Sequence, residues 1–269
     1  MTTLLEILQD RLPESSKTSL RQLLQNDRVR VNGAPERDAK REIAPEDKIE
    51  IADRSEKLDP RVRILFEDAD LIVIDKAEGL LSVPTSEVKY ETAETILNAY
   101  TPVHHVHRLD RDTSGVLVFA KNSWMRDRLQ ELFAVHDLER VYVAIVHGKT
   151  DHRGTYRSFL FEDRNLRMRV VADPSQGKEA ITHFKTVASG KRFSIVEVTL
   201  ETGRRNQIRV QFAEAGHPVL GDMMYGKGRE DDFGRLALHA KHLGFVHPRS
   251  REKVAFTAEP PRSFREWKL

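Results

Sequence analysis

Apolar positions in the first fifty residues recur at helical spacing and then change period. Leu4, Leu5, Leu8 and Leu12 fall on one helical face and Leu20, Leu23 and Leu24 on another, so two short helices are predicted. Ser15 and Ser16 are candidate N-caps of the second. Residues 28–31 then read as extended, Asn32-Gly33 supplies a tight turn, and a second extended piece ends at 49–51. Polar residues 53–59, followed by Pro60, read as a linker. The predicted organisation is a unit over 1–56 and a second over 57–269.

Beyond the linker, short β-branched and aromatic runs at 71–74, 116–120, 141–146, 193–200 and 243–246 predict strands. Amphipathic stretches at 124–135 and 207–215 predict helices, the second ended by Gly216 and Pro218. This irregular alternation is an α+β pattern rather than a repeated strand-helix-strand winding. The run at 116–120 is apolar throughout and follows Thr113, Ser114 and Gly115, so it reads as a buried strand beneath a polar loop. A reactive group in such a loop is held rigidly, which catalysis requires.

Composition narrows the classes. With no cysteine, disulfides, thiolate metal sites and a cysteine nucleophile are excluded. No apolar run approaches a membrane span, and Glu6 and Asp10 stand where a signal peptide would be apolar, so a soluble cytoplasmic protein is expected. Net charge is only +2, but its distribution is uneven. Residues 17–41 carry seven bases against three acids, whereas residues 42–59 carry seven acids against three bases. The basic strip reads either as a solvated face or as a nucleic-acid contact.

Three pieces carry candidate chemistry. His104, His105, His107 and Asp110 lie close enough in sequence to serve a metal-dependent hydrolase; otherwise His107 and Arg108 orient the loop or touch a phosphate and leave Asp110 free to act. Arg204, Arg205 and Arg209 crowd the start of the second predicted helix. The first two stand beside its positive end, and the third lies a turn further in, where it can reach a buried carboxylate. In 141–148, VYVAIVHG, strand alternation points Tyr142 away from its valine neighbours, toward either core or site.

These pieces, in this order, resemble the RluA-type pseudouridine synthases. HRLDRDTSG at 107–115 places Asp110 where that family has its catalytic aspartate. The likeness extends to DKAEGLLSVP at 75–84, LHAKHLGFVHP at 238–248 and PPRSF at 260–264, and so covers the chain from about residue 61. It implies a catalytic domain built on a mixed, largely antiparallel sheet. The first unit is similar to S4-like RNA-binding domains in its helix-helix-hairpin order and its segment 27–33.

By this resemblance Asp110, Tyr142 and Arg209 are the catalytic candidates. Tyr142 would stack on the target uracil and assist proton removal, and Arg209 would pair with Asp110, since an arginine beside a carboxylate favours the ionised form. The substrate-binding candidates are His107, Arg108, Arg111, Thr113, Arg204 and Ile208, with Arg108 helping to displace the target nucleotide. Lys17, Arg21, Arg28 and Arg30 are the candidates for RNA contact in the first unit. Three departures stand out: Lys76-Ala77 where Lys-Pro is usual, Asn206 where histidine is usual, and Arg140 where lysine is common.

The implied activity is cofactor-free and metal-free isomerisation of uridine to pseudouridine in structured RNA. Ribosomal RNA of the large subunit is expected before transfer RNA, and a monomer is expected. The competing expectations are a noncatalytic RNA-binding ribosome-assembly factor and the metal-dependent hydrolase.

Overall fold

A computed structural model describes residues 2–13, 17–25, 28–51, 58–88, 90–226 and 233–267. The candidate caps Ser15 and Ser16 and most of the expected linker lie outside the described residues. The chain divides into two compact units, one of Met1–Asp59 with Leu97–Thr101, the other of Pro60–Ile96 with Pro102–Leu269.

In the first unit, β1 (Thr2–Thr3) leads into α1 (Leu4–Arg11), whose start is closed by a capping box in which Thr3 and Glu6 satisfy each other's backbone N–H. Helix α2 (Lys17–Gln25) follows, then β2 (Val29–Val31), β3 (Ala34–Pro35), β4 (Glu42–Ile43) and β5 (Ile49–Ile51). The tight turn falls where Asn32-Gly33 predicts it, with φ of 55° and 79° as a type I′ turn requires. It joins β2 to the two-residue β3, whereas the second extended piece, β5, pairs with the other edge of β2. Leu4, Leu8, Leu20, Leu24, Val29 and Val31 bury a small core between the helices and this three-stranded sheet.

The second unit carries β6 (Val62–Glu67), β7 (Leu71–Lys76), the first half of α3 (Ala93–Tyr100), whose residues from Leu97 on are grouped with the first unit, β8 (His104–His105), β9 (Ser114–Ala120), α4 (Ser123–Val135) and β10 (Glu139–His147). Strands β11 (Arg153–Glu162), β12 (Met168–Val171), β13 (Lys178–Ser189) and β14 (Phe193–Leu200) follow, then α5 (Gln207–Glu214), β15 (Leu238–Val246), β16 (Lys253–Thr257) and α6 (Arg262–Glu266). The strands form one sheet in the order β12-β11-β13-β14-β10-β15-β9-β7-β6, with β16 on β15 and β8 on β9. All pairs are antiparallel except β9 with β15, so the fold is α+β on a mixed, largely antiparallel sheet.

Strand β9 is buried along its whole length, which is why its sequence is apolar on both faces. At its start the parallel partner comes so close that a Cβ on Gly115 would meet the Ala240 carbonyl oxygen at 2.1 Å. Glycine alone permits this approach, and its φ of +115° is one that L side chains rarely adopt. Helix α4 packs Met125 and Leu129 over Val116 and Val118, while α5 places Ile208 and Phe212 against Val196 and Val198. Removing a fully buried ring such as Phe212 costs about 3–5 kcal/mol.

Helix α5 is enclosed on almost every side, so its polar residues need fixed partners. The Gln207 amide donates to the Ile181 carbonyl and the Thr182 hydroxyl at 3.1 and 2.9 Å. It accepts from Thr202 and the Arg204 N–H at 2.8 and 2.9 Å. One turn on, Gln211 donates to Ser158 and the Ala180 carbonyl, both at 2.9 Å. These amide hydrogen bonds pin α5 to the sheet and fix where Arg209 points, while the buried Gln211 Oε1 has no hydrogen-bond partner among the described residues.

Candidate active site

The polar loop before β9 is braced at its backbone. Ser82 accepts from the Leu109 N–H at 3.0 Å and donates to the Leu109 carbonyl at 2.8 Å. Lys76, fully buried at the end of β7, donates to the carbonyls of Ala77, Leu80 and Arg111 at 2.9, 2.7 and 3.0 Å. Both braces come from DKAEGLLSVP, so that segment is a support for the residues around Asp110. Burial pulls the Lys76 ammonium down to about 7, against the pull of Asp112 and Asp110.

Asp110 lines a pocket of about 550 Å³ together with Arg108, Thr113, Tyr142, Arg204, Ile208 and Arg209. Its carboxylate is 27% exposed, and the Arg209 guanidinium behind it is 11% exposed and donates to it at 3.2 Å. Arg209 is anchored by the fully buried Asp222, to which it donates from Nε at 2.7 Å and from Nη2 at 2.9 Å. Burial opposes the Arg209 cation, yet Asp222 and then Asp110 outweigh it and hold its pKa above the ordinary arginine value. The buried carboxylate that the spacing anticipated is therefore present, and it is Asp222; Asp110 is a second, more accessible partner.

Asn206 completes this arrangement from the residue before α5, where its φ of 51° lies in the left-handed region. Asparagine tolerates that region better than most residues, and strain of this kind gathers at functional sites. The hydrogen-bond network assigns the amide nitrogen to Asp110, at 2.8 and 3.0 Å from its two oxygens, and the amide oxygen to the Tyr225 hydroxyl at 3.1 Å. Tyr225 accepts in turn from the Met168 N–H at 3.1 Å, and its ring lies under the Arg209 guanidinium. Asn206 thus supplies a donor to Asp110 where the resemblance leads one to look for histidine.

Tyr142 is half-buried on β10. Burial raises its phenol pKa, Arg140 opposes this and Asp110 adds to it. The resting phenol is therefore protonated, suited to stacking and hydrogen bonding, and is not a standing phenolate base. Thr113 is buried, and its hydroxyl has no hydrogen-bond partner among the described residues. Arg108 is exposed at the pocket mouth. Arg204 donates from Nε to the Glu179 carbonyl at 3.0 Å, and Arg205 pairs with Glu162.

Two substrate-binding candidates lie elsewhere. The His107 ring stacks on Phe133 at 4.3 Å and accepts from the Val118 N–H at 3.2 Å, and burial together with Arg140 carries its imidazole down to about 3. It is a neutral brace for β9. Arg111 turns outward to Asp112 at 3.0 Å, and only its carbonyl serves the site, through Lys76. The histidines of the proposed metal cluster disperse, since His105 pairs with Glu94 at 2.8 Å while His107 is stacked. Among the described residues no group of three or more potential metal ligands converges.

Sequence reading missed Asp222 and Tyr225 and did not anticipate what Asn206, Lys76 and Ser82 do. GDMMYG at 221–226 has the composition of a surface turn, and the constraint on Gly221, whose Cβ would meet the Arg235 carbonyl oxygen at 1.8 Å, arises only in the fold.

In the first unit, Val29 and Val31 are buried, which turns Arg30 to the outer face of β2, opposite Glu50. Lys17 and Arg21 lie exposed one turn apart on α2, and Arg28 directly precedes β2.

A carboxylate in a partly apolar pocket, with a cation behind it, an amide beside it, an aromatic ring nearby and arginines at the mouth, suits nucleophilic or base chemistry on a planar, phosphate-bearing substrate. Comparison with known proteins agrees. Residues 70–214, more than half of the chain, match the family described as RNA pseudouridylate synthase. The uncharacterized RNA pseudouridine synthase YlyB of Bacillus subtilis (strain 168) is 34% identical over 93% of this chain and 88% of its own. The ribosomal large subunit pseudouridine synthase D of Zymomonas mobilis is 36% identical over 77% of this chain and 72% of its own. Among solved structures, human RNA pseudouridylate synthase domain containing 4 superposes with a TM-score of 0.64 at 25% identity, covering 75% of this chain and 90% of that one. The chain therefore belongs to the RNA pseudouridylate synthase family, is of the RluA type, and is an isomerase acting on RNA.

Proposed function

We propose that this enzyme converts particular uridines of structured RNA to pseudouridine with Asp110 as its essential group. The observation that carries the reading is the Asp110 carboxylate, facing an open pocket while Arg209 and Asn206 hold it from behind. The N1–C1′ bond of the uridine breaks, C5 bonds to C1′, and the proton lost from C5 is balanced by one gained at N1. Nothing is added to the substrate or removed from it. A uracil stacked in a helix cannot present its sugar to a carboxylate, so it is flipped out first. Arg108, exposed at the mouth, is placed to fill the gap, and Tyr142 and Ile208 receive the base. The Thr113 hydroxyl supplies a hydrogen bond to the bound nucleoside. Asp110 then either attacks C1′ or takes the C2′ proton.

Large-subunit ribosomal RNA is the favoured substrate over transfer RNA, supported by the relative from Zymomonas mobilis and by one of the same name from Haemophilus ducreyi that is 31% identical over 94% of this chain. The first unit is read as an S4-like module holding RNA through Lys17, Arg21, Arg28 and Arg30, supported by its order of helices and strands. No helix among the described residues is long and apolar enough to cross a membrane. Pseudouridine mapping of total RNA from cells with and without the protein tests the activity and identifies the target. Asp110→Asn should lower turnover by about 10⁴-fold or more, with RNA affinity retained. Retained turnover in that variant overturns the mechanism, and an unchanged pseudouridine map overturns the activity on cellular RNA.

A further inference from the structure

Arg140 stands on β10 two residues before Tyr142, and so on the same face of the strand. It is 8% exposed, yet its guanidinium is loosely held. Among the described residues its acceptors are reached by Nη2 alone: His136 Nδ1 and the carbonyls of Leu200 and Glu201, at 3.5, 3.5 and 3.4 Å, near the limit of a hydrogen bond. The buried Nε has no partner among the described residues. Lys76 and Arg209, also buried, meet carbonyls or the Asp222 carboxylate at 2.7–3.0 Å.

The surroundings of Arg140 lack negative charge. Burial depresses its pKa, and the influence opposing this is the Tyr142 phenol, with no carboxylate among the described residues near enough to contribute. Its neighbourhood is instead positive, since burial, Arg140 and Arg204 together lower the His136 imidazole. A buried cation without a counter-charge or close carbonyls is costly, and an anion brought to it relieves that cost.

One end of the guanidinium faces Gly203. A Cβ there would meet Nη1 at 2.6 Å, so the missing side chain leaves that nitrogen uncovered. Gly203 is not among the residues with positive φ, so what it supplies is space. It lines the Asp110 pocket together with Tyr142, Leu200 and Arg204.

We propose that Arg140, through the opening at Gly203, holds with Arg204 a phosphate flanking the target uridine. The proposal rests on the functional reading above and deepens it, because the incoming phosphodiester supplies the counter-charge that Arg140 lacks and ties the RNA backbone to the strand that carries Tyr142.

The test uses the full-length enzyme and synthetic hairpins spanning the uridine identified by mapping. One hairpin is unmodified, and two others carry a single uncharged methylphosphonate on the 5′ or the 3′ side of that uridine. At least one methylphosphonate should raise KM for the unaltered enzyme about 10- to 100-fold, the loss expected for a hydrogen bond to a charged group. Arg140→Gln should raise KM similarly on unmodified RNA and add little on that methylphosphonate, while Arg140→Lys should restore part of the affinity. If Arg140→Gln does not fold, Gly203→Ala, which covers Nη1 and keeps the charge, takes its place in the same comparison. A merely structural Arg140 predicts the opposite pattern: the variant weakens all three hairpins alike and the methylphosphonate penalty persists undiminished. That pattern, or a KM for the unaltered enzyme that neither methylphosphonate raises, overturns the phosphate site alone. If the unaltered enzyme makes no pseudouridine, the functional reading falls and takes the site with it.

Discussion

Arg209 and Lys76 are buried cations fixed by named acceptors, whereas Lys17 and Arg21 stand in solvent on α2, one helical turn apart. Both groups are positive charge in an RNA-modifying enzyme, but desolvation divides them. A buried cation is tolerable only with a fixed counter-charge or several carbonyls, and those partners hold it in one position. That immobility suits it to orienting a reacting carboxylate. An exposed cation keeps its hydration and its rotamers, so its contribution to a fixed geometry is small, and it attracts phosphate over a distance set by salt. Breaking the first group should therefore damage fold and turnover together, whereas breaking the second should alter only how binding responds to salt.

Arg209→Met carries the largest expected stability effect. Among the described residues it leaves the fully buried Asp222 with only the backbone donors of Met224 and Tyr225, at 2.9 and 3.0 Å. Stability to urea should fall by about 3–5 kcal/mol, the range for removing one partner of a buried pair. Adding Asp222→Leu should restore most of that stability and none of the turnover, because Asp110 still lacks its cation. If the double variant recovers turnover, Arg209 is a fold element and the contrast between the two groups fails at its strongest point.

Lys76 sharpens the comparison through pH. Its folded value of about 7 lies below the unfolded value of 10.5, so below pH 7 both states hold the proton and the cost of burying the charge is fully present. Between 7 and 10.5 the unfolded chain binds the proton and the folded chain does not, and stability should rise with pH by at most about 1.4 kcal/mol per unit from this group. Unfolding followed across that window should show the rise in the unaltered protein and its loss in Lys76→Met. A slope that survives in the variant assigns the titration to another group.

These buried partners were the least legible part of the chain. The strand under Asp110 was readable because burial on both faces demands the unbroken run Val116, Leu117, Val118, Phe119 and Ala120. Helix α4, and the placing of Tyr142 on the face of β10 opposite Val141 and Val143, followed from periodicity in the same way, though periodicity left open whether that face is core or site. Strands β11, β12 and β13 were missed because one face is solvated. In β11 the inward Tyr156 and Leu160 alternate with Thr155, Arg157 and Phe161, which leaves no apolar run to find. Asp222 and Tyr225 were invisible for a different reason: a carboxylate in a Gly-rich turn has the composition of a surface loop, and only the tertiary fold brings it to Arg209. Lys76 was noticed for the alanine after it, since nothing in the order of residues announces that an ammonium will be enclosed by three carbonyls.

Asn206 separates geometry from hydrogen bonding on a smaller scale. Asn206→Gly keeps the left-handed backbone, which glycine adopts freely, and removes the amide that donates to Asp110. Stability should change by about 1 kcal/mol or less. Turnover should fall about 10- to 100-fold, as expected for one hydrogen bond to a charged group. Asn206→His, which offers a ring N–H from the same place, should retain more activity than the glycine variant. If the two variants are equally active, the donor to Asp110 contributes nothing and the backbone strain stands unexplained.

The exposed pair should give the smallest effect and the most selective one. Lys17 and Arg21 share one face of α2, and neither side chain contributes to the leucine core on the opposite face of that helix. Replacing both with glutamine should leave stability within about 0.5 kcal/mol, as for other surface changes. If each cation meets one phosphate, the double variant lowers the magnitude of the slope of log affinity against log salt by roughly 1.4 to 1.8, and its affinity deficit shrinks as salt rises. Turnover of RNA-saturated enzyme should not move, since neither residue reaches the reacting atoms. An unchanged slope with unchanged turnover would make the basic strip a solvated face. A loss of turnover at saturating RNA would be more damaging, because exposed charge would then be doing what desolvation should reserve for Arg209.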